Sequence, residues 1–305
     1  MYGEIVGILT TISFALSFVL ARRIQDEATP IFQNTVRALV GFITFLIICL
    51  SFGVILTVSQ LPILIILMLM MSILFTVILG DTAYLQSQKV LGPAKALAVG
   101  NTTPFFTILF STIFLGRPFT ILMIFSGILI GIGAYIINIK NSSKNDVKKN
   151  TTRSLTKTKS GLLWAFFASI SWAVGLALSE YSIGQTNQIL GLGILSTVVA
   201  MLIRFLFASV VLVSISLIEQ RKKPIPKSRS TWKFLILSAL LSYSLGSIFF
   251  GEAVYIVGAS FMALISTAMP LFTIPFSYFI NKEKLSKKGF IGVILTILGV
   301  ILILI

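Results

Sequence analysis

The segment PFFTILFS at residues 104–111 returns as PLFTIPFS at residues 270–277, a shift of 166 positions. Without a gap, the same shift superposes Gly80, Gly92 and Gly133 on Gly246, Gly258 and Gly299. Chance similarity gives scattered matches, whereas here glycines and prolines keep one register. The chain therefore contains an internal repeat, and a repeat decides the architecture before any single segment does.

The repeat also covers the residues that precede these segments. At a shift of 158, the matching residues are Gly3, Ile12, Ser13 and Ala15 with Gly161, Ile170, Ser171 and Ala173. Phe14 then stands opposite Trp172, and Arg37 stands opposite Arg204 at a shift of 167. The larger shift indicates an insertion of about nine residues, 167 minus 158, early in the second copy.

The composition indicates a protein that is covered largely by lipid. Of the 305 residues, 56% are hydrophobic and 11% are charged, whereas soluble domains carry about 25% charged residues. The net charge of +15 comes mostly from short gaps between apolar runs. This pattern favours a membrane surface, not nucleic acid, as the partner of the basic residues. A single cysteine, Cys49, excludes an intrachain disulfide.

Continuous apolar runs predict ten transmembrane helices. A helix needs about 20 apolar residues to cross the bilayer core, and continuous runs are unlike the alternating strands of a β-barrel. The predicted spans cover residues 4–21, 32–51, 61–88, 94–115, 120–139, 161–180, 193–218, 232–256, 260–281 and 287–305. Gly92-Pro93 separates the third span from the fourth, and Gly258 separates the eighth from the ninth.

Five spans fall in each copy of the repeat, which predicts an all-α membrane protein built from two inverted five-helix repeats. Because five is odd, the second copy crosses the membrane in the opposite sense to the first, as in many secondary transporters. The predicted units are a first repeat at residues 1–139, a basic polar linker at residues 140–160 and a second repeat at residues 161–305.

These residues resemble the EamA family of the drug/metabolite transporter superfamily over nearly the whole chain. The shared pieces are Ser13-Phe14 and Ser171-Trp172, Arg37 and Arg204, Gly92-x-x-x-Ala96 before Pro104, Pro270, and Glu283-Lys284-Leu285. The first half departs from the last of these motifs, with Gly116-Arg117-Pro118 in its place. The resemblance implies a ten-helix carrier of small metabolites, such as amino acids, with a central cavity between the halves.

Acidic side chains inside predicted spans are candidates for the cavity wall, because ionisable residues in a membrane are costly and mark pathways or pairs. Asp81, Tyr84 and Gln88 share one helix face. Asp81 either binds a substrate amine or a proton, or belongs to a packed polar stripe. Glu252, with Tyr255 on its face, is either a second cavity acid or an interfacial residue that reaches the headgroups.

Basic residues allow the same two interpretations. Lys95 follows the Gly92-Pro93 break and either binds an anionic group or reaches the headgroups. Arg37 and Arg204 are repeat equivalents inside their spans, and are either gating or substrate contacts or structural guanidinium groups between helices. The structural interpretation is favoured, because one arginine in each half suits a role in the fold.

Pro104 and Pro270 lie about ten residues into their predicted helices. A mid-helix proline kinks the helix and frees the carbonyl four residues earlier, here those of Gly100 and Ser266. Asn101 is near enough to help satisfy a freed carbonyl and is a candidate for the cavity. The kinked helices are predicted to line the cavity. Ser13, Phe14 and Trp172 are candidates for substrate contact, although core packing is the commoner fate of the aromatic pair.

The best-supported function is a secondary active transporter that moves a small metabolite by alternating access, with a proton as a candidate coupling ion. The alternative is an uncoupled channel or uniporter. An enzyme is disfavoured, because the chain has no histidine and no cluster that predicts a catalytic group, a metal or a cofactor. A pump is disfavoured, because there is no phosphate-binding Gly-x-x-x-x-Gly-Lys loop.

Charge asymmetry predicts the orientation in the cell membrane. Ten spans place both termini on one side, whose other predicted loops contain a single basic residue, Arg117. The opposite side holds Arg22, Arg23, Lys89, Lys140, Lys144, Lys148, Lys149, Arg153, Lys157, Lys159, Arg221, Lys222, Lys223, Lys227, Arg229, Lys282, Lys284, Lys287 and Lys288. The positive-inside rule makes the basic side cytoplasmic, with both termini extracytoplasmic.

Overall fold

The computed structural model describes residues 2–91, 96, 99–116, 121–139, 151–220 and 228–281. It also describes positions 291, 292, 294, 295, 298, 299 and 302. Within these residues the chain is helical and contains no strand. The Gly92-Pro93 break, Lys95, Arg117 and Glu283 lie outside the described residues, as does much of the tenth predicted span.

The described residues form nine principal helices, numbered in chain order. They are α1 (Tyr2–Arg23), α2 (Pro30–Ser51), α3 (Ile63–Leu91), α4 (Thr103–Leu115), α5 (Ile121–Ile139), α6 (Thr151–Leu190), α7 (Ile194–Gln220), α8 (Arg229–Ser266) and α9 (Met269–Asn281). A 3₁₀ helix, Ile55–Gln60, connects α2 to α3. The helix α6 begins at Thr151, inside the stretch that was predicted to be a linker.

Six of these helices, α1, α2, α3, α6, α7 and α8, are long and apolar enough to cross a membrane. They coincide with the first, second, third, sixth, seventh and eighth predicted spans. The shorter helices α4, α5 and α9 coincide with parts of the fourth, fifth and ninth. The prediction of an all-helical protein with several membrane-spanning helices is confirmed.

Two π-helical segments interrupt α3 and α8 at equivalent positions. Leu74–Asp81 lies in α3, and Leu240–Gly246 lies in α8, beginning 166 residues later. The shift of 166 pairs residues 74–80 with residues 240–246, and each of these stretches ends with a glycine, Gly80 or Gly246. A Cβ atom at Gly80 would lie 2.8 Å from the Phe75 carbonyl oxygen, and one at Gly246 would lie 2.8 Å from the Leu241 oxygen. Such bulges are frequent at functional sites.

The chain also leaves helical geometry just before each repeat-related proline. Turns at residues 101–102 and 267–268 precede α4 and α9. Pro104 is therefore the second residue of α4, and Pro270 is the second residue of α9. The predicted mid-helix kinks are corrected to helix starts, where a proline is tolerated because its missing N–H would have no partner.

The freed carbonyl of Gly100 is satisfied by Thr103 Oγ1 at 2.7 Å and by Ser169 Oγ at 3.3 Å. Asn101 does not serve this purpose. The predicted break at Gly258 is also present, since the φ angle there is +83° within α8. The next amide, Ala259 N–H, donates to Glu180 Oε2 at 2.8 Å, so a side chain of α6 caps the break.

The largest apolar core lies where α2, α3 and α7 meet. The helices α2 and α7 occupy equivalent places in the two copies of the repeat, and the rings of Phe45 and Phe205 stack at a centroid distance of 5.6 Å. Cys49, Leu69 and Leu212 are fully or almost fully buried around them. Large apolar side chains elsewhere, such as Phe105 and Ile113, are exposed at the surface, as expected of a protein that faces lipid.

Candidate functional site

A cavity of about 150 Å³ lies among the helices, with a largely apolar and aromatic wall. It is lined by residues from both copies of the repeat. These are Phe14, Phe18, Arg37, Thr76, Val77, Asp81, Tyr84, Gly100, Asn101 and Thr103 from the first, and Trp172, Leu176, Met201, Arg204, Phe205, Tyr243, Ser247, Phe250, Ala263, Ser266, Thr267 and Met269 from the second.

Most lining residues form pairs that the repeat relates. At shifts of 158, 166 or 167, the pairs are Phe14/Trp172, Phe18/Leu176, Arg37/Arg204, Val77/Tyr243, Asp81/Ser247, Tyr84/Phe250, Gly100/Ser266, Asn101/Thr267 and Thr103/Met269. Both π segments and both turns before the prolines contribute to this set. The irregular parts of the helices therefore meet at the cavity.

Asp81 is the acidic residue among the described lining residues, and it connects three helices. Its Oδ1 accepts a hydrogen bond from Trp172 Nε1 of α6 at 2.8 Å, and its Oδ2 accepts one from Tyr243 OH of α8 at 2.5 Å. Trp172 also donates to the carbonyl of Thr76 at 3.1 Å. Each carboxylate oxygen is thus already bonded by a side chain of the second copy, which holds the carboxylate in place.

The guanidinium group of Arg37 is buried and fully partnered. Its Nη1 donates to Asn34 Oδ1 at 3.1 Å, its Nη2 to Ser17 Oγ at 3.4 Å, and both Nε and Nη2 donate to Ser242 Oγ. Its central carbon lies 4.2 Å from the centroid of the Tyr243 ring. Arg37 therefore ties α2 to α1 and to the π segment of α8, and it also lines the cavity.

Arg204 occupies the equivalent place in α7 but has fewer partners. Its Nη2 donates to Thr76 Oγ1 at 3.3 Å, and its central carbon lies 5.5 Å from the centroid of the Phe250 ring. The side chain is 3% exposed. Nε and Nη1 are buried without a hydrogen-bond partner in the described part of the chain. Unlike Arg37, Arg204 brings unused donors to the cavity.

Aromatic rings form one wall. The Tyr84 and Trp172 rings lie 5.0 Å apart, and Phe18 packs edge-on against Tyr84 at 5.3 Å. On the other side, the ring of Phe14 packs against Phe250 at 6.3 Å. Phe14, Trp172, Asp81, Tyr84 and Asn101, all candidates from the sequence, are brought together at the cavity.

Other candidates lie apart from it. Ser13 and Gln88 are buried but do not line the cavity. Glu252 is also buried, and its Oε1 accepts a 2.5 Å hydrogen bond from Thr197 of α7. Tyr255 points outward and is 42% exposed. Glu252 and Tyr255 separate because the helix turns the glutamate toward α7 and leaves the tyrosine on the outer surface. Lys95 is outside the described residues.

Tyr243 lines the cavity and bonds Asp81, but sequence reasoning did not single it out, nor did it single out the polar lining residues Thr76, Thr103 and Ser247. It stands opposite Val77 in the repeat, so a search for matching polar pairs passes over it. Its place within a predicted span, one residue after Ser242 and four before Ser247, offered the only signal in the sequence, a polar stripe within an apolar run.

Comparison with known proteins agrees with this arrangement. The profile of the EamA-like transporter family matches residues 1–139 and 159–305. A relative from Archaeoglobus fulgidus, described as an uncharacterized transporter, is 24% identical over 238 residues, which are 78% of this chain and 76% of that protein. An uncharacterized transporter from Clostridium kluyveri is 29% identical over 103 residues, 34% of this chain and 33% of that protein.

A solved crystal structure shares the fold. It superposes with a TM-score of 0.74 over 99% of this chain and 96% of its own, at 16% sequence identity. At that identity the likeness concerns the fold alone. The family match covers most of the chain in two segments, and it agrees with the long apolar helices. The chain therefore belongs to the EamA-like transporter family and is a multi-pass membrane transporter.

Proposed function

We propose that this transporter is a secondary carrier or exchanger that moves a small metabolite, such as an amino acid or a related compound, by alternating access. The observation that carries the proposal is the cavity, which lies between the two copies of the repeat and is lined mainly by residues that the repeat relates. A site built symmetrically from two halves can face either side when the halves exchange conformations.

Contacts between the halves support two inverted five-helix units. Arg37 of the first half bonds Ser242 in the π segment of the second, and Arg204 of the second half bonds Thr76 in the π segment of the first. Ser242 and Thr76 are themselves related by the shift of 166. Reciprocal contacts of this kind are expected of two units related by a twofold axis. For inverted units that axis lies in the membrane plane.

The irregular helices support a moving part at the cavity. A π segment and the turn before a proline each leave backbone groups outside the regular helical ladder, and such interruptions line the sites of many secondary transporters. Here four interruptions, two in each half, border one cavity. These interruptions are therefore candidate places for bending when one half rocks against the other.

Counterflow in proteoliposomes tests the proposal. We expect preloading with an unlabelled substrate to accelerate uptake of the same labelled compound, drawn from a panel of amino acids, sugars and nucleosides. A matched control is Gly100→Trp, which should plug the cavity, because a Cβ atom at Gly100 would have ordinary contacts only, the nearest being Trp172 at 3.6 Å. Uptake without acceleration by preloading would indicate a channel or uniporter and would contradict the carrier.

A further inference from the structure

We infer that Arg204 is the substrate-recognition residue of the cavity and that it binds the carboxylate of a small, singly anionic solute. The inference rests on the proposed transport function and names the substrate class. It follows from a difference between two residues that the repeat makes equivalent. Arg37 has a protein partner for every nitrogen of its guanidinium group, whereas Arg204 has one for Nη2 only.

The sequence explains the difference, because each partner of Arg37 can be compared with the residue that the repeat places at the equivalent position around Arg204. Arg37 bonds Asn34, Ser17 and Ser242. The repeat places Met201, Gly175 and Thr76 at the equivalent positions around Arg204. Only Thr76 keeps a hydrogen-bonding group, and it does bond Arg204. Residues without a side-chain acceptor oxygen therefore stand where Arg37 has Asn34 and Ser17, and two nitrogens of Arg204 have no partner in the described part of the chain.

The polar groups that lack partners on the cavity wall are donors. Besides Nε and Nη1 of Arg204, the side-chain nitrogen of Asn101 is buried without a partner in the described part of the chain. A buried donor left unsatisfied costs roughly 1–3 kcal/mol, and more when it is charged. A ligand that supplies acceptors removes this cost, and the planar guanidinium group matches a carboxylate.

Charge on the described lining residues favours an anion with a single negative charge. Two arginines and one aspartate line the cavity, a formal sum of +1. Asp81 is already bonded through both oxygens, by Trp172 and Tyr243, and its repeat equivalent is the uncharged Ser247. Nothing equivalent to Asp81 therefore balances the second arginine. One carboxylate would restore neutrality, whereas a doubly charged phosphate would reverse the sign.

The volume limits the size of the solute. A cavity of about 150 Å³ holds on the order of ten water-sized groups, at roughly 10–15 Å³ each. The aromatic wall can take the apolar part of the molecule while Arg204 holds its charged end.

Trp172 provides a probe for binding that does not require transport. Of the three tryptophans, only Trp172 lines the cavity, so the double replacement Trp164→Phe and Trp232→Phe leaves a single reporter at the site. The probes are acetate, propionate and L-lactate, each compared with its amide, together with inorganic phosphate. We expect saturable changes of Trp172 fluorescence with at least one carboxylate and none with the matching amide.

Three variants in this background test the residue. We expect Arg204→Gln to weaken carboxylate binding at least tenfold, since a charge-assisted hydrogen bond is lost, and Arg204→Lys to retain part of it. Met201→Asn rebuilds the partner that Asn34 provides for Nη1 of Arg37 and should also weaken binding, because it occupies one of the two free donors. The control is Lys233→Gln, which removes an exposed cation away from the cavity and should leave binding unchanged.

The outcomes separate this inference from the carrier itself. Carboxylate binding that requires Arg204, without counterflow of any compound, would uphold the anion site and contradict the carrier. Counterflow of a solute that is unchanged by Arg204→Gln would uphold the carrier and overturn the anion site. A site that binds no carboxylate, that binds amides equally well or that prefers phosphate overturns the inference directly.

Discussion

The carboxylate of Asp81 bonds the two halves together. It belongs to α3, and both of its donors, Trp172 and Tyr243, belong to the second copy of the repeat. The nearby guanidinium group of Arg37 packs over the Tyr243 ring at 4.2 Å. In the proposed carrier, a group that joins the two halves is well placed to couple its protonation state to their relative position. Protonation would change which of these hydrogen bonds the carboxylate can accept.

We predict that Asp81→Asn abolishes accumulation driven by a proton gradient and leaves counterflow measurable. The amide keeps the shape of the side chain and one acceptor oxygen, but it cannot take up or release a proton. The measurement is uptake into proteoliposomes with and without an imposed pH difference. The matched control is Glu252→Gln, a second buried acid that bonds Thr197 outside the cavity lining. Gradient-driven uptake by the Asn variant at the wild-type level would remove Asp81 from coupling.

At the level of single residues, the sequence predicted part of the site. Asp81, Phe14 and Trp172 were visible because a charge within an apolar run and an aromatic pair in register are local patterns. The unequal surroundings of Arg37 and Arg204 depend on side chains that other helices supply. Hydropathy and motif spacing do not report which helix faces which, so the two arginines were treated as one kind of residue.

The sequence predicted helix breaks at positions marked by glycine or proline. It did not predict the π segments, which no such marker identifies. The interruption at Gly258 and the disturbance near both prolines followed from residue type. The π segments did not, because Leu74–Asp81 and Leu240–Gly246 lie inside continuous predicted spans and contain no proline to mark a break. One extra residue in a turn leaves no trace in the hydropathy pattern. Gly80 and Gly246, which lie at equivalent positions in the two segments, were seen only as repeat markers.

We predict that Gly258→Ala destabilises the protein, because φ is +83° at this position and the added Cβ atom would lie 3.2 Å from Glu180 Oε1. With ψ at 166°, Gly258 has a backbone conformation that is almost restricted to glycine, and such strain costs about 1–3 kcal/mol for a residue with a side chain. We expect the apparent melting temperature in detergent to fall by roughly 2–5 °C.

The control for this prediction is Gly184→Ala in α6, where a Cβ atom would meet nothing within 4 Å. Alanine is the better helix former, so this variant should be neutral or slightly stabilising. Equal melting temperatures for the two variants would mean that the conformation at Gly258 is not required for stability.

At the scale of the molecule, side-chain contacts join the ends of several helices. Arg23 at the end of α1 donates to the carbonyl of Ile280 at 3.1 Å, and Thr29 before α2 donates to Glu219 at 2.6 Å. Thr231 at the start of α8 donates to Glu27, and Ser87 near the end of α3 donates to the carbonyl of Gly161 at 2.9 Å. These ends therefore share one face of the bundle.

Basic residues also lie at these ends. Among the described residues, Arg22, Arg23, Lys89, Lys159 and Arg229 belong to the face just defined, while the connections at residues 52–62 and 191–193 contain no lysine or arginine. The sequence predicted this separation from loop order alone, without knowing which helices touch. Orientation in the membrane stays a prediction, since it depends on the charge rule and not on the packing.

We predict that the basic face is cytoplasmic and that both termini are extracytoplasmic. The test is a set of single cysteines at Tyr2, Ser230 and Ile305 in a Cys49→Ala background, since Cys49 is buried in the apolar core and alanine suits that site. Tyr2 and Ser230 are both exposed.

On intact cells, a membrane-impermeant maleimide should label the cysteines at 2 and 305 but not that at 230, which should react only after the membrane is opened. Labelling at 230 alone would reverse the orientation. Labelling at both 2 and 230 would mean an even number of spans between them, in place of the seven predicted, and the ten-helix arrangement would have to be abandoned.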